Sequence, residues 1–421
     1  KVFYYKDLLD KACIHFQIFK VGTYKSAVEP YIMNEMSDAN KEQINSYLSD
    51  IWQQMLSNVS HSRHIPIDSL NTYANRGVLV EEGEDLIKLK LIDQTAYSED
   101  VSKEIKRLMK LDEDDEYHTL HLEEMANVQN KPNKFKEGEI AVYYAVGEIQ
   151  SASVYTTDAV IDQKKVCRDL RSLREDNNVK AVVLRVNSPG GSAFDSEQIW
   201  KDVVELKEKK PVIVSMGDYA ASGGYYISCS ASYIFAEPTT LTGSIGIFGM
   251  VPEAGELLDN KLGLHLQTVK TNEYSDFGSL NRPMNAGEQA LMQKSIDRGY
   301  ELFTKRCADG RKMQQNDIKA IAEGRIWTGK QATQNGLVDE LGGLNEAIAK
   351  AKELAKVTDT ATSYHPFKPS FFDALFEQVS GDSYIDGKLK KQFGEYYTGF
   401  NLLRCLDRTD YIQARLPYIL K

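Results

Sequence analysis

A serine stands between two alanines and two glycines in the stretch "MGDYAASGGYYIS" (Met216 to Ser228), directly after the apolar run "PVIVSM". Small neighbours let a second backbone come close, and glycine takes backbone angles closed to other residues. Ser222 in such a turn reads in two ways: as a nucleophile exposed at a helix start, or as an N-cap that satisfies first-turn amides. A second turn, "RVNSPGGSAFDS", follows the preceding strand-like run and holds Ser188, Pro189, Gly190 and Gly191. On its own, Pro-Gly-Gly is a tight turn. Adjacent strand ends in one sheet lie close together, however, so the glycine amides and the Ser222 hydroxyl could share a site. Free N–H groups beside a serine make an oxyanion hole, the largest single contribution in many acyl transfers. None of the seven histidines lies in a motif near the serine, so a Ser-His-Asp triad has no obvious base. A lysine can take that role only where burial strips its charge, because water keeps the amine protonated.

These turns need strands to carry them. From Gly138 onward, "EIAVYYAV" leads to the helical pattern "DQKKVCRDLRSLRED", "VKAVVLRV" leads to "DSEQIWKDVVELKEK", and "KPVIVSMG" leads to "SGGYYISCSAS". "SYIFAEPTT" and "SIGIFGM" follow as further short strands. Continuous Val/Ile runs between amphipathic helices predict strands covered on both faces, hence α/β layering with functional turns at the strand ends.

Comparing the chain with itself reveals a tandem duplication. "LLDKACIHFQIFKVGTYKS" from Leu8 pairs with "LLDNKLGLHLQTVKTNEYS" from Leu257, a shift of 249. Met36 and Met284 open two long helical patterns at a shift of 248, the second with Asn285 and Glu288 placed as a capping box. "KLKLIDQTAYSEDVSKEIKRLMKL" pairs with "TQNGLVDELGGLNEAIAKAKELAKV", Leu91 against Leu337, at a shift of 246. The second repeat begins near "GEIAVYYAVGEIQ", well before its own "LLD". The first has only seven residues ahead of its "LLD", so about 110 residues of it are expected to lie upstream of Lys1.

This gives four predicted segments: 1–112, the C-terminal part of the first repeat; 113–137, an acidic linker; 138–357, the second repeat; and 358–421, an aromatic-rich tail. A net charge of −10 argues against nucleic acid as a partner, because phosphate binding needs clustered Lys and Arg. Five cysteines without CxxC or paired His/Cys spacing carry no metal or redox signature, and no cofactor is called for. No apolar run reaches the ~18 residues of a membrane span, and an anchor is expected in the upstream part.

Taken together, "LRVNSPGGS", "MGDYAASGGYYIS", "LTGSIGIFG" and "GRIWTGKQATQNGLVDELG" resemble the signal peptide peptidase A (protease IV) family in its long, duplicated bacterial form. The match runs over most of residues 8–357 and includes "FKVGTYKSAVEP". The resemblance implies tandem Clp protease/crotonase-like α/β domains built of repeated ββα units, and a Ser/Lys dyad with Ser222 as nucleophile and Lys25 of "TYKSA" as general base. It points to Ser244 of "LTGSIG" as the hydroxyl that orients the lysine. For the oxyanion hole it points to the amides of Gly191 and Gly223, with Gly190 shaping the turn. The implied substrates are cleaved signal peptides and other apolar peptides, bound extended along an edge near "SPGGSAFDS". Phe194, Tyr219 and Ile247 are candidate pocket neighbours. A homotetramer at the bacterial inner membrane, facing the periplasm, is the implied setting.

The duplication bears on the base. A self-sufficient second repeat should carry a lysine equivalent to Lys25, but a shift of 250 puts Ser275 there. The nearest lysine, Lys270, lies five residues earlier. The expectation is a split site, with the serine from one repeat and the lysine from the other. Two rival readings are an acyl-CoA enzyme of the crotonase type, which shares the glycine oxyanion hole, and a catalytically silent membrane scaffold.

Overall fold

The computed structural model describes residues 2–112, 114–120, 138–150, 160–366 and 412–415. Its contacts divide the chain into two compact units, Lys1–Asp50 with Phe135–Lys421, and Ile51–Lys134. Most of the expected linker and tail, residues 121–137 and 367–411, lies outside the described residues.

The strands of the first unit, in chain order, are β1 (His15–Lys20), β2 (Glu139–Val146), β3 (Glu148–Gln150), β4 (Val160–Asp162), β5 (Val179–Ser188), β6 (Gly190–Ser192) and β7 (Val212–Ala221). They continue with β8 (Tyr233–Ala236), β9 (Leu241–Gly243), β10 (Phe248–Glu253), β11 (Ile326–Thr328), β12 (Glu340–Leu341), β13 (Ala361–His365) and β14 (Ile412–Arg415). One sheet runs β11-β9-β7-β5-β2-β13, with β8 also paired to β7 and β12 paired to β8; the other runs β1-β10-β14-β6-β3-β4.

In the first sheet β2, β5, β7 and β9 are parallel neighbours. Their Val/Ile/Leu runs are buried on both faces, as a sheet with covers on each side requires. Helix Leu344–Ala355 packs one face through Ala347 and Ala351. Helices Gln163–Glu175 and Ala193–Lys209 help cover the other. Both start on side-chain caps: Asp162 accepts from the Lys164 N–H at 3.0 Å and Ser192 from the Asp195 N–H at 3.2 Å. Arg171 forks onto Asp202 at 2.8 and 3.0 Å and ties these two helices together.

Pairing in register fixes where the strand ends stand. Ala220 and Ala221 of β7 lie opposite Thr242 and Gly243 of β9, while Ser188 of β5 lies opposite Ala220. Three chain segments therefore leave the sheet side by side, carrying Ser222, Ser244 and the Pro189-Gly190-Gly191 turn. In the second sheet, β1 pairs antiparallel with β10 from His15↔Glu253 to Lys20↔Phe248. The residues after Lys20 are thereby delivered to the segment between β9 and β10.

The second unit is helical. Leu56, Ile65 and Leu70 form its buried cluster, and the Trp52 indole N–H donates to Asn71 Oδ1 at 2.9 Å. Among the described residues, no helix is long and apolar enough to cross a membrane.

Candidate active site

Ser222 closes β7 and occupies the N-cap of the short helix Gly223–Ser228, but its side chain makes no cap hydrogen bond. The hydroxyl is thus not spent on capping. Its backbone, at φ 55° and ψ −115°, is in a region that costs a non-glycine residue about 1–3 kcal/mol. Two main-chain bonds hold it there: Ser222 N–H donates to Gly243 O, and Tyr226 N–H donates to Ser222 O, each at 2.8 Å.

Lys25 arrives through β1 and the turn after it. Val21 N–H donates to Ile247 O at 3.1 Å and Tyr24 N–H to Glu323 O at 2.9 Å. Gly324 (φ +79°) presses its backbone on the lysine; a Cβ there would stand 2.7 Å from Lys25 Cα, so no larger residue fits. The Lys25 amine ends 2.8 Å from Ser222 Oγ, 3.0 Å from Ser244 O and 3.2 Å from Ser244 Oγ. Lys25 is 1% exposed, and Ser222 and Ser244 are fully buried.

Burial lowers the Lys25 amine from its ordinary 10.5 to about 7. No charged partner contributes to that shift. Desolvation alone disfavours the ammonium form. A neutral amine has two N–H donors and one lone pair. In that form, donation to Ser244 O and Oγ would leave the lone pair for the Ser222 hydroxyl, which lies within hydrogen-bond reach of the same nitrogen.

The glycine turn sits on the other side of the serine. A Cβ on Gly190 (φ +102°) would come 2.7 Å from Gly223 N, and one on Gly223 would come 3.1 Å from Gly190 Cα. The two glycines touch, and a side chain on either would fill the space over the serine's helix start. Gly190 N–H donates to Ser188 Oγ at 3.2 Å, which commits that amide to the turn.

The structure thus brings Ser222, Lys25, Ser244, Gly190, Gly191 and Gly223 to one place. It keeps Lys270 out: that amine pairs with Asp276, and its side chain is 35% exposed. Ile247 is buried in the core beside the site, Tyr219 is half-buried on β7, and Phe194 is exposed.

Sequence reasoning missed a buried polar set behind the lysine. Gln43 Nε2 reaches Tyr24 O and Ser26 Oγ, each at 3.0 Å, and its Oε1 accepts from Ile326 N–H at 3.3 Å. Ser26 Oγ donates to Asn40 Oδ1 at 3.0 Å, and Asn40 Nδ2 donates to Glu29 Oε2 at 2.8 Å. Asn40 and Gln43 therefore grip the residues on either side of Lys25. In the sequence they are two polar residues among many in the helical pattern "MSDANKEQINSYLSDIW", with nothing local to mark them.

Comparison with known proteins adds the ancestry. The profile of Peptidase family S49 matches residues 1–112 and 204–358, one stretch in each repeat. The chain belongs to peptidase family S49. The Clp protease profile matches residues 140–240, the part of this S49 chain that carries β2 to β8, so the α/β, Clp-like, duplicated fold read from the sequence holds. The chain is 38% identical over 391 residues to "Protease 4" of Salmonella typhi, covering 90% of this chain and 61% of that protein. "Protease 4" of Haemophilus influenzae is 38% identical over 374 residues (83% and 58% covered). "Serine protease SPPA, chloroplastic" of Arabidopsis thaliana is 33% identical over 355 residues (83% and 52%). The chain spans between 52% and 61% of the length of these curated relatives.

Proposed function

We propose that this S49 chain is a serine endopeptidase in which Ser222 attacks and Lys25 is the general base. The observation that carries the reading is the 2.8 Å approach of a buried amine, its pKa lowered by burial to about 7, to Ser222 Oγ. Lys25 takes the hydroxyl proton as Oγ adds to a peptide carbonyl, and the amides of Gly191 and Gly223 receive the developing oxyanion. Collapse breaks the C–N bond, and Lys25 returns the proton to the departing amine. Water, deprotonated by the same lysine, then hydrolyses the acyl-enzyme. Ser244 holds the amine in line through its carbonyl and hydroxyl. Family membership and the named relatives support peptide hydrolysis.

The substrate class that fits is extended, apolar peptide, including cleaved signal peptides, paired along the β6 edge. The setting is the extracytoplasmic side of a bacterial inner membrane, with an anchor outside this chain and assembly as a homotetramer. Labelling with a fluorophosphonate, alongside hydrolysis of a quenched apolar peptide, tests the dyad. Wild type labels and cleaves, while Ser222→Ala does neither. Lys25→Ala loses labelling and turnover by roughly a hundredfold or more. Undiminished cleavage by Ser222→Ala removes the assignment; undiminished cleavage by Lys25→Ala alone moves the base elsewhere.

A further inference from the structure

One buried side chain outside the dyad binds both the segment that carries Lys25 and the strand that anchors the two serines. Gln43 lies on helix Asp38–Arg63 and is fully buried. Its Nε2 donates to Tyr24 O and to Ser26 Oγ, each at 3.0 Å, so it holds the residues immediately before and after Lys25. Its Oε1 accepts from Ile326 N–H at 3.3 Å. Ile326 opens β11 and lies opposite Gly243, whose carbonyl accepts from Ser222 N–H at 2.8 Å. The preceding carbonyl, of Arg325, accepts from Ser244 N–H, also at 2.8 Å. A single amide therefore ties the main chain behind the amine to the main chain behind both of its hydroxyl partners.

That amide fits only one way round. Turned over, it would set its NH2 against the Ile326 N–H and its oxygen against the Tyr24 carbonyl. Asn40 fixes it further: Asn40 Oδ1 lies 3.1 Å from Gln43 Nε2 and accepts from Ser26 Oγ at 3.0 Å, while Asn40 Nδ2 donates to the buried Glu29 at 2.8 Å. Burying so many polar groups costs free energy unless each is paired, and a fully paired set holds one geometry. The duplication supplies an independent comparison. At a shift of 248 the mate of Gln43 is Leu291, and the mate of Lys25 is Ser275; both are exposed. The repeat that carries the buried amine carries the amide, and the repeat that lacks one lacks the other.

We propose that Gln43 is a positioning residue for peptide hydrolysis: it sets the reach of Lys25 to Ser222 by clamping the Lys25 main chain against β11. The inference rests on the dyad reading above. The step it governs is the passage of the Ser222 proton to Lys25 Nζ, for which a base displaced by about 1 Å loses up to ~100-fold in rate. Gln43 acts from behind the lysine and touches neither serine hydroxyl. Its loss therefore falls on turnover and leaves peptide binding as it was.

Steady-state hydrolysis of a quenched apolar peptide tests this on the full chain, with folding of each variant checked by circular dichroism. Gln43→Met keeps the length of the side chain and removes the amide. It is expected to lower kcat about 10–100-fold with KM within about twofold of wild type. Placed on top of Lys25→Ala, the same change is expected to cost no more than about twofold in kcat, because a residue that acts through the amine has nothing left to act on. A folded Gln43→Met with wild-type kcat, a loss that appears in KM instead, or an equal loss in the Lys25→Ala background each overturns the proposal and leaves the dyad standing. If Gln43→Met does not fold, Ser26→Ala decides, since it takes away one of the partners of the amide and only a hydroxyl. A fall of roughly threefold or more in its kcat at constant KM supports the clamp, and wild-type kcat overturns it. Undiminished turnover by Lys25→Ala brings down the dyad and the clamp together.

Discussion

His15–Lys20 is a strand in the front repeat, while its counterpart in the rear repeat, around Leu264–Lys270, runs without regular structure. The helices around them match closely. Helices start at 38 and 286, 26 residues each, and at 67 and 315, both at a shift of 248. Helices 83–88 and 98–109 recur at 329–334 and 344–355, at a shift of 246. What differs is strand pairing. β1 lies along β10, whereas Leu264, Leu266 and Val269 are exposed, with no strand beside them among the described residues. Likewise Ile326–Thr328 pairs with β9 as β11, but its counterpart Val78–Val80 is a 3-10 turn with Leu79 and Val80 exposed. Helices close their hydrogen bonds internally and survive duplication intact; a strand exists only where a partner is supplied.

The same contrast bears on the proposed base. Lys25 sits behind β1, in a buried place made by pairing; Ser275, its repeat mate, is exposed. Lys25→Ala is expected to lower kcat about 10²–10⁴-fold, the range of a lost general base. Adding Ser275→Lys should recover none of it, since a solvated amine stays protonated near neutrality. Recovery of even a tenth of wild-type kcat in a continuous peptide assay would break the comparison, because it would mean the rear repeat can build a base site without a paired strand.

Helices were legible from the chain because their signals are local. The Asn285–Glu288 capping box forms as read, with Glu288 N–H donating to Asn285 Oδ1 at 2.9 Å and Asn285 N–H to Glu288 Oε2 at 2.8 Å. The α/β layering was legible for the same reason, in runs such as "VKAVVLRV". The site was legible only in part. Ser222 and the glycines announced themselves by composition, but Lys25 stands 197 residues away and came from the family resemblance and the vacancy at Ser275. The Ser244 carbonyl was invisible because every residue has one. Asn40 and Gln43 carried no signal of their own, and only the placement of Tyr24 O and Ile326 N–H against Gln43 explains their burial. The rear mate of Gln43 is Leu291, which is exposed, so the two helices share a length and differ in what they face. No local signal in "IQAR" marks β14 as a strand; antiparallel pairing with β6 is a long-range fact.

Holding Lys25 neutral has a thermodynamic sign that sharpens the comparison. Its amine titrates at about 7 in the folded chain and at 10.5 ordinarily, so between those values the unfolded chain carries a proton that the folded chain lacks. Stability therefore rises with pH across that window, and the penalty is full below about pH 7. Lys25→Met keeps the stem and removes the amine. It is expected to be more stable than wild type by on the order of 3 kcal/mol at about pH 6, with the gap shrinking toward about pH 10. Urea midpoints at the two pH values measure it. A variant weaker than wild type at both would show the amine to be a net stabiliser. Ser275→Met, at an exposed position, should show no such pH-dependent gap.

The smallest effect belongs to the rear counterpart of β1. Phe19, in the strand, packs in the main core, and Phe19→Ala is expected to cost about 3 kcal/mol. Leu266 is 60% exposed in the unpaired segment, and Leu266→Ala should fall within about 0.5 kcal/mol of wild type. Urea unfolding at low protein concentration separates the two cases. Concentration matters, because an exposed apolar run outside any sheet is also a surface that a second copy can pair with. If Leu266→Ala costs nothing when dilute and a kilocalorie or more when concentrated, the rear segment acquires in an assembly the partner that β10 gives the front one. If it costs that much even when dilute, the segment is packed within a single chain, and partner supply is not what separates the two repeats.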